Sequence, residues 1–219
     1  MGINAANIAG SATDGCRGRE DDEFYATPFS ATRALLDTGE FKGCHSVLEP
    51  ACGEGHIAKV LKDSWIFDEV VATDLVERRN RFGIPMTVGV NFLTHDYGRT
   101  FDAAITNPPF SLAQRFIERM AEVATKRYAV LAKIQLLEGA ERYSFWRKAN
   151  LKCVYVFSRR VSTLRGGEDF DENGKPWSTT LCLAWYVFDP TFFGDPRIDW
   201  ILPKDDSPQM QLDFSAAKG

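Results

Sequence analysis

The segment with the clearest chemical potential is Asn107-Pro108-Pro109-Phe110, which directly follows the apolar run Ala103–Thr106. Two consecutive prolines fix the backbone and carry no N–H donor. The Asn107 side-chain oxygen and the Pro108 backbone oxygen can therefore hold the two N–H bonds of a planar amine, such as that of adenine. Drawing this nitrogen toward tetrahedral geometry frees its lone pair to attack a sulfonium methyl group, and the remaining catalysis is positioning. We expect Phe110 to stack on the base, a contact of about 1–3 kcal/mol.

A second motif is the glycine-containing turn at residues 50–56, PACGEGH, which joins a predicted strand to a predicted helix. Gly53 and Gly55 have no Cβ, so the backbone can turn sharply there and approach a ligand closely. The helix that follows begins with unpaired N–H groups. Glu49 and Pro50 stand between the strand and the glycines, whereas a dinucleotide-binding loop passes from strand to glycine directly. The Glu49 carboxylate favours a cationic amino-acid tail and would repel a pyrophosphate.

A third candidate is Asp74, which ends the β-branched run that starts at Glu69. A carboxylate at the end of the second strand of such a fold accepts hydrogen bonds from a ribose diol. Both NAD and S-adenosylmethionine contain this diol, so Asp74 does not distinguish them. The other interpretation of Asp74 is a helix N-cap.

Apolar periodicity predicts elements that alternate along the chain and place these motifs at strand ends. The predicted strands are Ser46–Glu49, Glu69–Leu75, Thr87–Phe92, Ala103–Thr106, Tyr128–Ile134, Val154–Phe157 and Leu181–Phe188, and the predicted helices are His56–Lys62, Leu112–Ala124 and Gly139–Lys148. This alternation predicts parallel βαβ units in a doubly wound sheet, where ligands bind beyond the carboxyl ends of the strands. The last two strands are joined by a polar link, which predicts an antiparallel hairpin at one sheet edge.

Composition limits the class of protein. The chain has 219 residues, a net charge of −4 and 26% charged residues, as expected of a globular protein of one domain. No apolar run approaches the roughly 20 residues that span a bilayer, and the N-terminal sequence lacks the features of a signal peptide. The five cysteines form no CxxC pair, so we expect no metal site, no disulfide framework and a cytoplasmic location.

The negative net charge means that any contact with nucleic acid must come from a local patch. The link between the last two predicted strands combines basic and aromatic side chains, which suits recognition or stacking near a base site; a plain mobile hairpin loop is the alternative. The candidate nucleic-acid-binding residues of this link are Arg159, Arg160, Arg165, Phe170 and Trp177.

Together the motifs resemble those of DNA amino-methyltransferases, in particular the gamma class of adenine-N6 enzymes. The resemblance runs from Phe24 to about Asp189 and rests on the order of FYATP at 24–28, EPACGEG at 49–55, TDL at 73–75, NFL at 91–93 and NPPF at 107–110. It implies a Rossmann-like class I methyltransferase fold with a mostly parallel seven-stranded sheet. It also implies S-adenosyl-L-methionine as cofactor and methyl transfer to the N6 amine of adenine in DNA.

The resemblance further implies which residues bind this cofactor. These are Tyr25, Thr27 and Pro28 at the methionine part, Glu49, Gly53 and Gly55 around the amino-acid tail, Asp74 at the ribose and Phe92 at the adenine, with Pro50, Leu75 and Asn91 as further contacts. The family usually has Asp where this chain has Asn91. The Asn91 oxygen can still accept a hydrogen bond from the adenine amine, and Asp96 is a second candidate for that role.

The sequence also suggests a domain organisation. We expect a catalytic domain at residues 23–202 between tails at 1–22 and 203–219. Because the chain contains no separate recognition domain, short or loose sequence specificity is expected, in a monomer or weak dimer. The segment Gln209–Phe214 looks like the short peptides that bind bacterial sliding clamps, although a plain tail is the simpler interpretation.

Several alternatives stay open. An RNA methyltransferase or a protein glutamine-N5 methyltransferase can use the same Asn-Pro-Pro-aromatic turn, and cytosine-N4 methylation is also possible; the FYATP segment favours DNA. A non-catalytic nucleotide- or nucleic-acid-binding subunit is a further alternative. A cytosine-C5 enzyme needs a cysteine nucleophile, and no Pro-Cys pair occurs. An NAD-dependent oxidoreductase is disfavoured by Glu49-Pro50 and by the Asn-Pro-Pro-Phe turn.

Overall fold

The computed structural model describes residues 25–161 and 181–204, together with the backbone of residues 164 and 165. Its strands are β1 (Tyr25–Ala26), β2 (Ser46–Glu49), β3 (Glu69–Asp74), β4 (Met86–Val88), β5 (Phe101–Thr106), β6 (Ala124–Lys133), β7 (Leu151–Phe157), β8 (Leu164–Arg165), β9 (Leu183–Phe188) and β10 (Arg197–Ile201). Its α-helices are α1 (Phe29–Asp37), α2 (His56–Asp63), α3 (Ala113–Val123) and α4 (Tyr143–Trp146). The predicted N-terminal tail, the segment Gln209–Phe214, and residues Phe170 and Trp177 lie outside the described residues.

Eight of these strands form one sheet in the order β10-β7-β9-β6-β5-β2-β3-β4. Neighbouring strands run parallel, except that β9 is antiparallel to both β6 and β7. The predicted fold class, an α/β fold with a mostly parallel sheet and an antiparallel pair, is thereby confirmed. Separately, β1 pairs antiparallel with β8, with Tyr25 opposite Arg165.

The sheet differs from the prediction in its number of strands and in the place of the hairpin. It has an eighth strand, because β10 pairs in parallel with β7 and moves the β7–β9 hairpin one strand in from the edge. Ile198 and Trp200 of β10 are exposed and alternate with Arg197 and Asp199. The segment therefore lacks the buried apolar run by which the other strands are recognised.

Three local elements differ from the prediction. The predicted strand Thr87–Phe92 ends at Val88, because Gly89 takes a left-handed φ of 76°. The predicted helix at 139–148 is reduced to a 3₁₀ turn at Ala140–Arg142 followed by the single-turn α4. Helix α1 has no counterpart in the prediction; it begins directly after Pro28, whose carbonyl accepts the Ala31 N–H at 3.0 Å.

The two faces of the sheet bury separate apolar clusters, because successive side chains of a strand point to opposite faces. Ile105 and Leu131 belong to the cluster shared with α1 and α2, whereas Ala104 and Val130 belong to the cluster shared with α3. Helix α3 buries Phe116, Ile117, Met120 and Val123, whose three- and four-residue spacing gives it one apolar face.

The strand order reverses between β2 and β5. From β2 the chain proceeds outward through β3 and β4, and from β5 it proceeds the other way through β6, while β2 and β5 pair directly. Such a reversal leaves a crevice at the carboxyl ends of the two central strands, where open α/β sheets bind ligands. Glu49 ends β2 and Asn107 follows β5, so both residues stand at this crevice.

No helix within residues 25–161 and 181–204 has the length and apolar character needed to cross a bilayer.

Trp185 of β9 links the sheet to α1. Its side chain is 0% exposed, and its indole N–H donates to the Ala31 carbonyl at 3.0 Å. We expect Trp185→Phe to lower the free energy of unfolding by about 1–3 kcal/mol, because it removes this hydrogen bond and leaves a void. Urea unfolding would measure the loss. Trp65→Phe is the control, since Trp65 is 91% exposed; an equal loss in both variants would contradict the linking role of Trp185.

Candidate functional site

A cavity of about 330 Å³ lies at the carboxyl ends of the central strands. Its wall contains residues from each of the five motifs on which the family resemblance rests. The predicted site residues that line it are Tyr25, Thr27, Glu49, Pro50, Asp74, Leu75, Asn91, Phe92, Asn107 and Pro109. The fold thus brings together in one space residues that are up to 84 positions apart in the sequence, from Tyr25 to Pro109.

The remaining residues predicted from the motifs are direct sequence neighbours of wall residues. Pro28 precedes α1, and Pro108 is buried. Gly55 caps α2 with a left-handed φ of 93°, a conformation that a residue with a Cβ rarely adopts. The Gly53 N–H donates to Asp74 Oδ2 at 2.7 Å. None of these residues, nor Phe110, lines the cavity in the structure.

Glu49 is a buried carboxylate in the cavity wall. Glu49 is 1% exposed, and its Oε2 atom has no hydrogen-bond partner among the described residues. Burial raises the pKa of this carboxyl well above its ordinary value; the Ala58 backbone amide opposes the shift and the neighbouring Asp74 adds to it. A buried acceptor of this kind is stabilised by a cationic group placed against it. The wall at Glu49 therefore suits a ligand that carries an ammonium.

The Asp74 carboxylate is fixed by two backbone amides. Gly53 N–H donates to Oδ2 at 2.7 Å, and Val76 N–H donates to Oδ1 at 2.8 Å. Each carboxylate oxygen has a further lone pair available, because an ionised carboxylate offers about four acceptor sites. The glycine turn thus orients a carboxylate that still has the capacity to bind a diol.

The Asn107 side chain is oriented by the β1 segment. Its Nδ2 donates to the Tyr25 carbonyl at 2.8 Å and to the Thr27 hydroxyl oxygen at 3.1 Å. Both hydrogens of the Asn107 amide are used. Because the Tyr25 carbonyl oxygen can only accept a hydrogen bond, the nitrogen of the amide must face it, and these contacts determine the orientation of the amide. Oδ1 is buried without a hydrogen-bond partner. The arrangement leaves one oriented acceptor in a residue that lines the cavity.

The sequence analysis assigns Tyr25 and Thr27 to the cofactor only. The structure shows a second contact for both residues, because they line the cavity and also hold Asn107. No local sequence pattern indicates this contact, which joins positions separated by 82 and 80 residues. The relation depends on the tertiary fold.

Phe110, which we expect to stack on the base, does not line the cavity. Its ring stacks on Tyr25, with centroids 5.8 Å apart and planes at 20°. The Lys133 ammonium lies 4.7 Å from the Phe110 ring centroid. Phe110 thus supports Tyr25, which does line the cavity.

Another part of the cavity wall is formed by the turn after β4. Phe92 is 2% exposed and packs on Phe116 with ring centroids 5.0 Å apart. Asn91 Oδ1 accepts the Leu93 N–H at 3.1 Å, which fixes the amide at the cavity edge. Asp96, the second candidate for this role, does not line the cavity, and its Oδ1 accepts the Gly98 N–H at 2.8 Å.

His56 is a wall residue that the sequence analysis did not identify. It is buried, and its ring contacts Phe82 edge-on with centroids 5.0 Å apart. Burial, with a further contribution from Arg81, lowers the pKa of His56 to about 4. His56 is therefore neutral near pH 7 and adds no positive charge beside Glu49. Its place as the first residue of α2, directly after the glycine turn, is the only signal in the sequence.

The predicted nucleic-acid-binding residues are only partly described. Arg159 and Arg160 are exposed, and an Arg159 guanidinium N–H donates to the Pro203 carbonyl at 2.6 Å. The backbone of Arg165 pairs with Tyr25, so the link between β7 and β9 passes beside the segment that orients Asn107. Phe170 and Trp177 lie outside the described residues.

Over residues 25–161 and 181–204, no group of three or more His, Cys, Asp or Glu side chains is arranged to hold a metal ion.

No protein-family model and no curated protein matches the chain. Solved structures do match it. A Listeria monocytogenes protein assigned as a class I S-adenosylmethionine-dependent methyltransferase superposes with a TM-score of 0.58 at 13% identity, over 89% of this chain and 70% of its own. A Pyrococcus horikoshii protein assigned as an RNA methyltransferase superposes with a TM-score of 0.55 at 14% identity, over 79% of this chain and 91% of its own.

A modification subunit assigned to a type I restriction enzyme of Vibrio vulnificus gives a TM-score of 0.54 at 14% identity, over 87% of this chain and 49% of the subunit. This chain thus spans about half the length of that subunit. At these identities the similarity establishes the fold. The chain has the Rossmann-like fold of the class I S-adenosylmethionine-dependent methyltransferases.

Burial of Glu49 makes a prediction about stability and pH. In the folded state the Glu49 carboxyl keeps its proton when the pH rises above the ordinary pKa of 4.5, whereas in the unfolded state it loses that proton. The contribution of Glu49 to stability therefore declines as the pH rises from about 4.5 through the raised folded-state pKa. Glu49→Gln has no charge to bury, so we expect its unfolding free energy to exceed that of the wild type increasingly with pH, by about 1–3 kcal/mol.

Thermal and urea unfolding of the ligand-free proteins over this pH range would measure the difference. Glu54→Gln is the matched control from the same turn, because the Glu54 carboxylate is paired with Arg81 and its loss removes a favourable contact. A Glu49→Gln variant that is less stable than the wild type at every pH would show that the carboxylate has a partner of its own.

Proposed function

We propose that this protein is an S-adenosylmethionine-dependent methyltransferase that modifies the N6 amine of adenine in DNA. The observation that carries the proposal is the Asn107 amide: its N–H bonds are held by Tyr25 and Thr27, and its buried Oδ1 is left without a partner. An acceptor held in this way, in a residue of the cavity wall, suits an incoming amine N–H. The fold and the order of the sequence motifs support the same activity.

The cavity wall matches the chemical groups of S-adenosylmethionine. The unpartnered Glu49 Oε2 would bind the ammonium of its amino-acid tail. The remaining lone pairs of Asp74 would accept from its ribose hydroxyls, and Asn91 with Phe92 would hold its adenine. The cofactor supplies an electrophilic methyl group on a sulfonium when bound.

The contribution of this chain to the reaction is orientation of the nucleophile. Asn107 Oδ1 would accept one N–H of the target amine, and the Pro108 carbonyl would accept the other. Two hydrogen bonds to the amine reduce its delocalisation into the ring and direct its lone pair outward. Because the amide of Asn107 is already oriented, little rearrangement is needed when the amine binds. In a duplex the target base must first be flipped out of the stack.

The choice of DNA rests on the resemblance to gamma-class enzymes, above all on the FYATP segment before α1. The restriction-modification subunit among the structural neighbours agrees with it. The neighbour assigned as an RNA methyltransferase keeps RNA as the second candidate acceptor. Both candidates use the same amine chemistry at Asn107 and differ in the nucleic acid that presents it.

The first test is transfer of a labelled methyl group to duplex DNA, RNA and a glutamine-containing peptide in parallel, with the modified position identified by mass spectrometry. We expect N6-methyladenine in DNA. Asn107→Ala should lower kcat about 100-fold or more while cofactor binding is retained, because an oriented catalytic hydrogen bond contributes this much. Thr27→Val removes one of the two contacts that hold the amide and should give a smaller loss.

Equal transfer by wild type and Asn107→Ala would exclude the proposed role of the amide. Methylation of RNA alone, or of the peptide alone, would replace DNA as the substrate while leaving the mechanism at Asn107 in place.

The second test concerns the cofactor. Glu49→Gln keeps the shape of the side chain and removes its charge, so we expect binding of S-adenosylmethionine to weaken about tenfold or more, the loss of a hydrogen bond to a charged group. Isothermal titration calorimetry would measure it, with Glu54→Gln as the control from the same turn. Unchanged affinity in Glu49→Gln would contradict the placement of the ammonium at this residue.

A further inference from the structure

Lys133 is a cation near the candidate site, and it has no role in the proposed mechanism at Asn107. It ends β6, which pairs in parallel with β5, the strand that leads into Asn107. Both residues thus stand at the carboxyl end of the sheet, on neighbouring strands. Lys133 falls in no motif of the sequence, and its type alone gives no reason to select it.

The position of Lys133 is defined by its neighbours. Its backbone carbonyl accepts the Tyr186 hydroxyl at 2.9 Å, and its ammonium lies 4.7 Å from the Phe110 ring centroid. Phe110 stacks on Tyr25, whose carbonyl holds the Asn107 amide. A short series of contacts therefore connects the Lys133 ammonium to the oriented acceptor of the cavity.

The charge of Lys133 has no counter-ion among the described residues, since its ammonium makes neither an ion pair nor a hydrogen bond there and the side chain is half-buried. Four other lysines of the described chain differ in this respect. Lys59, Lys126, Lys152 and Lys204 each pair with a carboxylate. An ammonium that is partly withdrawn from water and lacks an anion is suited to bind one supplied by a ligand.

We propose that Lys133 binds a backbone phosphate of the nucleic-acid strand whose base enters the cavity. The inference rests on the proposed function, because it is that function which places a target amine at Asn107. A base bound there would leave its sugar and phosphate outside the cavity, and the carboxyl end of β6 lies on the strand next to the one that leads into Asn107. In a protein with a net charge of −4, attraction to nucleic acid must come from such local cations.

The inference gives Lys133 a role in substrate binding that differs from support of Phe110. A phosphate contact acts mainly on the KM for nucleic acid and on its dependence on salt, because binding one phosphate releases condensed counter-ions. Support of Phe110 would act on the alignment of Tyr25 and Asn107, and hence on kcat. The two roles are therefore distinguishable by kinetics.

The test uses the full-length chain and labelled methyl transfer to duplex DNA between about 50 and 200 mM salt. Lys133→Met keeps an unbranched apolar side chain at this position and removes the charge. We expect the KM for DNA to rise about tenfold, the slope of log KM against log salt to fall by about 0.9, and kcat to stay within about twofold. Lys133→Arg should restore the KM and the slope.

Lys126→Met is the matched control, because Lys126 lies on the same strand at its opposite end and pairs with Asp102; its salt slope should equal that of the wild type. A fall in kcat with an unchanged salt slope in Lys133→Met, or no change in either quantity, would overturn the inference. If the wild type methylates RNA and not DNA, the substrate of the proposed function is wrong and the same salt series on RNA tests Lys133. Methylation of the peptide alone would overturn both proposals.

Discussion

The proposed chemistry of the site depends on the orientation of one side-chain amide. Asn107 follows a buried strand. The orientation of its side chain is determined by the carbonyl of Tyr25 and the hydroxyl of Thr27, which lie 82 and 80 residues earlier in the sequence. These two acceptors use both amide hydrogens and leave the oxygen without a partner. The acceptor therefore has a defined direction before any substrate arrives, which would reduce the reorganisation needed in the proposed reaction.

The sheet topology explains why this amide and the other polar groups of the wall share one space. Reversal of strand order between β2 and β5 opens the crevice, and Glu49, Asp74 and Asn107 each lie at or directly after the carboxyl end of a central strand. The apolar clusters on both faces of the sheet position these ends. Glu49 is held in this arrangement although burial of its charged form is unfavourable.

The sequence predicts the fold class and most of the central strands because these carry continuous buried apolar runs. It also identifies the residues of the cavity wall that lie in motifs. It does not predict β10, in which Ile198 and Trp200 face solvent, or α1, which begins directly after Pro28. The contacts of Asn107 with Tyr25 and Thr27, and of Lys133 with Phe110, join distant positions, so they depend on tertiary packing and leave no periodic signal.

The pairing of β1 with β8 has a consequence for the thermal behaviour of the protein. The two strands are only two residues long each and stand apart from the main sheet. So small an element opens at a lower free-energy cost than the core. Because Tyr25 belongs to it, fraying of this pair weakens one of the two contacts that orient the Asn107 amide while the eight-stranded sheet stays intact. If Asn107 acts as proposed, methyl transfer should decline on warming before the eight-stranded sheet unfolds.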